Sequence, residues 1–145
     1  MKTSKEGIAL IADFEKFESQ AYVCPGGKWT IGYGHTQGVK EGDVITEEEG
    51  VRLLQEDIAE AERYVRMYVH TPLRQNQFDS LVSFVFNVGC GNFKRSALLK
   101  EVNYDADGFN EIRPRFMAWV KAGGKVQNGL IARRKKEAEM YCRTH

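Results

Sequence analysis

Glu15, Cys24 and Thr30 stand in the spacing Glu-x8-Cys-x5-Thr, close enough in the chain to share one surface. A carboxyl can donate a proton, a thiol can act as base or nucleophile once ionised, and a hydroxyl can donate and accept hydrogen bonds. Glu15 falls where an amphipathic helix, predicted from Ser4 to about Phe17, should end. Ile8, Leu10, Ile11, Phe14 and Phe17 collect on one arc of that helix, and at about 100° per residue both Glu15 and Glu18 project into it. Desolvation on such an arc raises a carboxyl's pKa and makes it an acid. The plainer reading, that either glutamate is exposed as the helix frays, stays open on this pattern alone. A second chemistry also stays open, with Cys24 as thiol nucleophile and His35 as its base, although nothing in the sequence marks a third residue to orient them.

The elements that must hold these groups can be read from the chain. Ala21 to Cys24 and Trp29 to Tyr33 alternate like two strands, with Pro25-Gly26-Gly27 as the tight turn between them. Gly32 and Gly34 flank Tyr33 and suggest a cleft wall that a ligand approaches closely. Thr46-Glu47-Glu48-Glu49 is a capping box. Val51, Leu54, Ile58, Ala61, Val65 and Tyr68 then repeat at helical spacing up to Thr71-Pro72, a strut of about 24 residues or ~36 Å. Gln75 to Asn87 is the most apolar helix, with Phe78, Leu81, Val82, Val85 and Phe86 on one face, ended by Val88-Gly89-Cys90-Gly91. A short helix is predicted over Phe93 to Val102. Another follows Gly108, with Ile112, Phe116, Trp119 and Val120 in register, Pro114 in its first turn and Gly123-Gly124 as its stop. Gly129 to Cys142 is the last, with Leu130, Ile131, Ala138 and Tyr141 turned inward. The pattern predicts one hairpin lobe and about six or seven helices.

Composition narrows the function. The chain has 145 residues, enough for one domain with a real core. Its net charge of +1 leaves no footprint for nucleic acid. The run Arg133-Arg134-Lys135-Lys136 is expected as the solvated face of a helix. Cys24, Cys90 and Cys142 are odd in number and lack paired spacing, so reduced thiols are expected. The opening segment MKTSKEGIALIADFEKFE has no apolar run long enough for a signal or an anchor, which predicts a protein held in a cytoplasm. Asn103-x-Asp105-x-Asp107-Gly108 begins like a calcium loop, but Pro114 stands where the bidentate Glu is needed. His35, His70 and His145 are too scattered for a zinc site. No metal and no cofactor are expected.

The Glu15, Cys24, Thr30 run, followed by Ile31-Gly32-Tyr33-Gly34-His35-Thr36, resembles the glycoside hydrolase family 24 lysozymes, the phage endolysins, whose pattern is Glu-x8-(Asp or Cys)-x5-Thr. Gln75-x-x-Phe78-Asp79-Ser80-Leu81-x-Ser83-Phe84-x-Phe86-Asn87-Val88-Gly89 and Phe93-x-x-Ser96-x-Leu98-Leu99 look like the same family. So do Phe116-x-x-Trp119, Gly124-Lys125-Val126 and Gly129-Leu130-x-x-Arg133-Arg134-x-x-Glu137. The resemblance spans nearly the whole chain. It implies an α+β, mainly α, lysozyme-like fold, in which a small β-hairpin lobe and a larger helical lobe are joined by a long helix. The single domain 1–145 would divide into lobes at about 19–45 and about 70–145.

The resemblance also implies a muramidase that cuts the β-1,4 bond between N-acetylmuramic acid and N-acetylglucosamine in bacterial peptidoglycan. Glu15 would be the acid. Between Glu18 and Glu41 there is no Asp or Glu, so Cys24 occupies the second position and Thr30 the third. A thiol with a pKa of about 8.5 must be shifted down to serve well near neutrality. His35, Thr36, Phe86, Asn87 and Ser96 are the implied substrate contacts. The expected partner is peptidoglycan, met by a monomer without nucleic acid or stable membrane insertion, and kept in the host cytoplasm until lysis. A domain that binds murein without cutting it is the alternative.

Overall fold

The computed structural model describes residues 1–144, and His145, the third of the scattered histidines, lies outside them. The elements run α1 (Lys5–Glu15), β1 (Glu18–Val23), β2 (Trp29–Gly32), α2 (Glu47–Tyr68), α3 (Gln75–Val88), α4 (Cys90–Arg95), α5 (Ala97–Tyr104), α6 (Phe109–Phe116), β3 (Lys121–Ala122), β4 (Lys125–Val126) and α7 (Asn128–Tyr141). The fold is α+β and mainly helical, as the sequence predicts.

α3 is the centre. All nine residues from Gln77 to Val85 are buried, and α1, α2 and α7 pack against it. Four polar residues in that run are buried with the apolar ones, so α3 is not the one-faced helix its pattern suggests. Phe84, fully buried, meets Phe93, Phe116 and Trp119 edge to face at centroid distances of 6.3, 5.7 and 5.9 Å. Such contacts contribute about 0.5–1.5 kcal/mol each beyond area burial. The N-terminus is tied to this centre by two carboxylates. Glu62 accepts from Thr3 N and Oγ1 at 2.6 and 2.7 Å, and Asp79 accepts from Ser4 N at 3.0 Å and from Ser4 Oγ. These bonds fix where α1 begins and therefore where Glu15 emerges.

The long α2 starts at the predicted capping box. Thr46 Oγ1 accepts from Glu49 N and Glu49 Oε1 accepts from Thr46 N, both at 3.2 Å. Leu54, Ile58, Ala61 and Val65 form its buried stripe. On the hairpin side, β1 and β2 pair antiparallel, with Tyr22 opposite Thr30 and Val23 opposite Trp29. Residues 43–45 flank the other edge of β1 through Ala21 N to Asp43 O and Ile45 N to Ser19 O, each 2.9 Å.

Four predicted boundaries are corrected. α1 ends at Glu15 rather than near Phe17, because Lys16 turns the backbone to φ 47°, ψ 146°, and Glu18 opens β1 instead of extending the helical arc. The predicted helix over Phe93 to Val102 breaks at Ser96, whose extended backbone closes α4 and whose hydroxyl caps α5 by accepting from Leu99 N at 3.1 Å. Pro114 lies beyond the first turn of α6, where its missing N–H denies the preceding turn a donor, and the helix stops at Phe116 before reaching Trp119.

The fourth correction concerns Gly123-Gly124. With φ of 60° and 78° the pair is the turn of the small hairpin β3–β4 rather than a helix stop. Gly123 also touches the first hairpin: a Cβ placed on it would lie 2.7 Å from the Pro25 carbonyl oxygen. Among the described residues no helix is long and apolar enough to cross a membrane.

Lys16 is the one described non-glycine residue with positive φ, in a region that glycine alone enters freely. Lys16→Gly removes that strain, at the cost of a more flexible unfolded chain. We expect a net gain of about 1 kcal/mol, read as a higher urea midpoint with an unchanged slope; a lower midpoint contradicts the strain assignment.

Candidate active site

A cleft of about 620 Å³ lies between the hairpin and the helical lobe. Glu15, Tyr22, Cys24 and Thr30 line it from one side, and Phe86, Asn87, Trp119 and Leu130 from the other. The three predicted residues therefore share one cavity.

Glu15 reaches the cleft as the last residue of α1. Its surroundings differ from the predicted apolar arc: its carboxyl pairs with Arg133, whose guanidinium is buried and lies 5.5 Å from the centroid of the Phe14 ring. Arg133 in turn donates through Nε to Glu137 at 3.3 Å and through Nη2 to the Ser83 carbonyl at 3.3 Å. The guanidinium holds Oε2 of Glu15. The other carboxyl oxygen turns toward Gly34, at φ 78°, where any Cβ would lie 2.7 Å from Glu15 Cδ. Glycine at that position gives the carboxyl room. The wall around it is a tight turn, in which Ile31 and His35 exchange two backbone hydrogen bonds of 2.9 Å across Gly32-Tyr33-Gly34, so β2 ends before Tyr33.

Cys24 follows β1 at the mouth of the Pro25-Gly26-Gly27 turn. Burial pushes its thiol up, but backbone N–H groups of Lys28 and Gly26 and the Thr30 hydroxyl surround the sulfur and together bring it below its ordinary value. Thr30 is itself buried, and its hydroxyl donates to the Lys28 carbonyl at 3.0 Å. Its one proton therefore has two acceptors in reach, the Lys28 carbonyl and the Cys24 sulfur. Tyr22 sits opposite Thr30 on β1, and its phenol is pushed up by burial and then by the charges of Glu15, Cys24 and Glu18.

The implied substrate contacts divide. Thr36, Phe86 and Asn87 line the cleft. His35 does not: its ring is held by Asp57 at 2.8 Å on Nδ1 and by the Gln37 carbonyl at 2.9 Å on Nε2. With both nitrogens engaged it is no base for Cys24 either. Asp57 is itself pushed up by burial, with the His35 contact working against that. Ser96 is buried and caps α5, with its hydroxyl donating to Phe93 O at 2.8 Å, so it is a structural residue away from the cleft.

The largest departure is the basic run. Arg133 and Arg134 are buried, while Lys135 and Lys136 are exposed. Glu137, fully buried, accepts from both arginines and from Ser83 Oγ at 2.5 Å. Nothing local marks this, although Glu137 at i+4 and i+3 from the two arginines is the one cue the sequence offers. Tyr22 gave no cue beyond strand alternation. In the loop that begins like a calcium site, Asp107 accepts from Arg74 at 2.9 Å and Gln77 at 3.0 Å. Among the described residues no group of three or more His, Cys, Asp or Glu is placed to hold a metal ion.

Comparison with known proteins follows the same lines. Residues 12–137 match the phage lysozyme family. The chain is 40% identical over 145 residues to an endolysin of Acyrthosiphon pisum secondary endosymbiont phage 1, covering 97% of this chain and 98% of the relative. It is 42% identical over 144 residues to an endolysin of Bacillus phage B103, covering 97% of this chain but 54% of the relative, so it spans about half of that protein. The solved muramidase domain of SpmX from Asticaccaulis excentricus has a TM-score of 0.84 and 40% identity, covering 97% of each chain.

All three thiols are free and partly accessible, so reactivity separates them by ionisation. Hydrogen bonds donated to the sulfur favour the thiolate, and more thiolate is then present at a given pH. We expect iodoacetamide to modify Cys24 ahead of Cys90 and Cys142 near neutrality, with peptide mass spectrometry as readout. Thr30→Val removes one donor and should move the pH midpoint of Cys24 modification upward. Equal rates at the three thiols would contradict this account.

Proposed function

The chain belongs to the phage lysozyme family, and we propose that it cuts the β-1,4 bond between N-acetylmuramic acid and N-acetylglucosamine in bacterial peptidoglycan through Glu15, Cys24 and Thr30. The observation that carries this reading is the convergence of a pinned carboxyl, a thiol with a lowered pKa and a hydroxyl on one cleft. Glycoside hydrolysis needs a proton for the leaving oxygen and a group that delivers water to the developing oxocarbenium centre.

Glu15 supplies the proton. As it leaves, the carboxylate that remains lies against the Arg133 guanidinium, which is already in place and needs no reorganisation. Cys24 takes the second role as thiolate. It removes a proton from a water molecule, the water oxygen bonds to the anomeric carbon, and the glycosidic oxygen departs with the proton of Glu15. Thr30 lies beside the sulfur and can orient that water through its lone pairs. Thr36, Phe86 and Asn87 contact the sugars, joined by Tyr22 and Trp119, which were not foreseen.

Action as a monomer belongs to the same reading. On this reading the protein is held in the host cytoplasm until lysis and then acts on the wall. No nucleic acid is involved in this reading.

Release of new reducing ends from purified peptidoglycan tests it. The intact protein should cut within a bell-shaped pH window, because the step needs Glu15 protonated and Cys24 ionised at once, and the lowered Cys24 pKa places the limb set by the thiol at a lower pH than an ordinary thiol would. Glu15→Gln should lose at least about a hundredfold. Cys24→Ser should lose most activity together with the limb that Cys24 sets, because a hydroxyl does not ionise in this range. An inverted product anomer fits Cys24 as base; retention, with a sugar trapped on the sulfur, makes it the nucleophile. A folded protein that binds murein and releases no ends at any pH would instead be a binding domain.

A further inference from the structure

Arg134 is fully buried, yet its guanidinium ends at the cleft wall. Nε donates to the Trp119 carbonyl at 2.9 Å, Nη1 to the Glu137 carboxylate and Nη2 to Asn87 Oδ1, while the group lies 5.1 Å from the centroid of the Phe84 ring. It has no freedom to turn elsewhere. A guanidinium only donates, so the amide atom of Asn87 that faces it must be the oxygen.

That assignment decides what the cleft meets. Asn87 lines the cavity, and with its oxygen held by Arg134 its Nδ2 amino group is the free end; no described residue accepts from it. A charge-assisted bond to an amide oxygen also polarises the amide and strengthens its N–H groups as donors. Asn87 thus turns a fixed donor, its Nδ2 amino group, toward the cleft. Sugar hydroxyls donate and accept, so such a donor distinguishes them poorly. An acetamido carbonyl only accepts, and removal of the acetyl group replaces it with an ammonium that only donates. A donor facing a donor leaves both unpaired, the kind of mismatch by which buried polar sites discriminate most strongly.

We propose that Arg134 positions Asn87 as a fixed hydrogen-bond donor to the acetamido carbonyl of an amino sugar in the cleft, so that the pair selects N-acetylated over N-deacetylated glycan. The inference rests on the muramidase reading above. Asn87 is the substrate contact, and Arg134 acts through it.

The test compares reducing-end release from peptidoglycan before and after chemical N-deacetylation. The intact protein should prefer the acetylated polymer by about tenfold or more in kcat/KM, the scale of one lost hydrogen bond with its mismatch. Asn87→Asp keeps the contact to Arg134 but presents a carboxylate oxygen, so the preference should vanish or reverse. Arg134→Gln, which frees the amide to turn, should shrink the same ratio; because it is a ratio, it is independent of the fraction of protein that folds. A ratio in Asn87→Asp equal to that of the intact protein overturns the inference, and so does an intact protein with no preference. No release from either polymer by the intact protein is a separate outcome, which overturns the muramidase reading and the inference with it.

Discussion

Two buried arginines on α7 share one buried carboxylate, and the geometry of the cleft follows from that sharing. Glu137 accepts from Arg133 and Arg134, and the far side of each guanidinium reaches a different cleft group, Glu15 for one and Asn87 for the other. Within the cluster two guanidiniums meet the Glu137 carboxylate and the Glu15 carboxyl. Burying ions costs several kcal/mol each, and a pair is tolerated only when attraction and hydrogen bonds offset that cost. Here Ser83, Trp119 and the Phe14 and Phe84 rings complete the coordination. Removing any member would leave a charge uncompensated, so α7 has little choice of register against α3. The arrangement contributes position rather than stability, and position is what a cleft of this kind requires.

Legibility in the sequence tracked the range of the interaction. The capping box at Thr46 and Glu49 was readable because both partners lie within one turn. The hairpin around Pro25 was readable from alternation and turn residues, and with it the nearness of Cys24 and Thr30. By contrast, Arg133 and Glu15 are separated by 118 positions. A run of four basic residues reads as solvated unless both distant partners are known, so half of that run was misjudged. The β3–β4 hairpin escaped for a different reason: strands of two residues carry no period, and Gly123-Gly124 serves a helix stop and a tight turn equally well.

His35 and Ser96 show a further limit. Both belong to segments that resemble the family, and resemblance implied substrate contact for each. In the fold His35 bridges Asp57 and Gln37, and Ser96 joins α4 to α5. A residue can keep its place in a motif because it builds the frame. Only burial and bond partners separate that role from contact with a ligand, and neither is written in the order of the residues.

Where Gly123 meets the Pro25 carbonyl, the two hairpin turns bridge the rim of the cleft. A glycan strand is a thread many times longer than the cavity, and its ends are seldom nearby. With the turns in contact, such a thread enters lengthwise or the turns part to admit it, and a short fragment compared with a long strand tells the two routes apart.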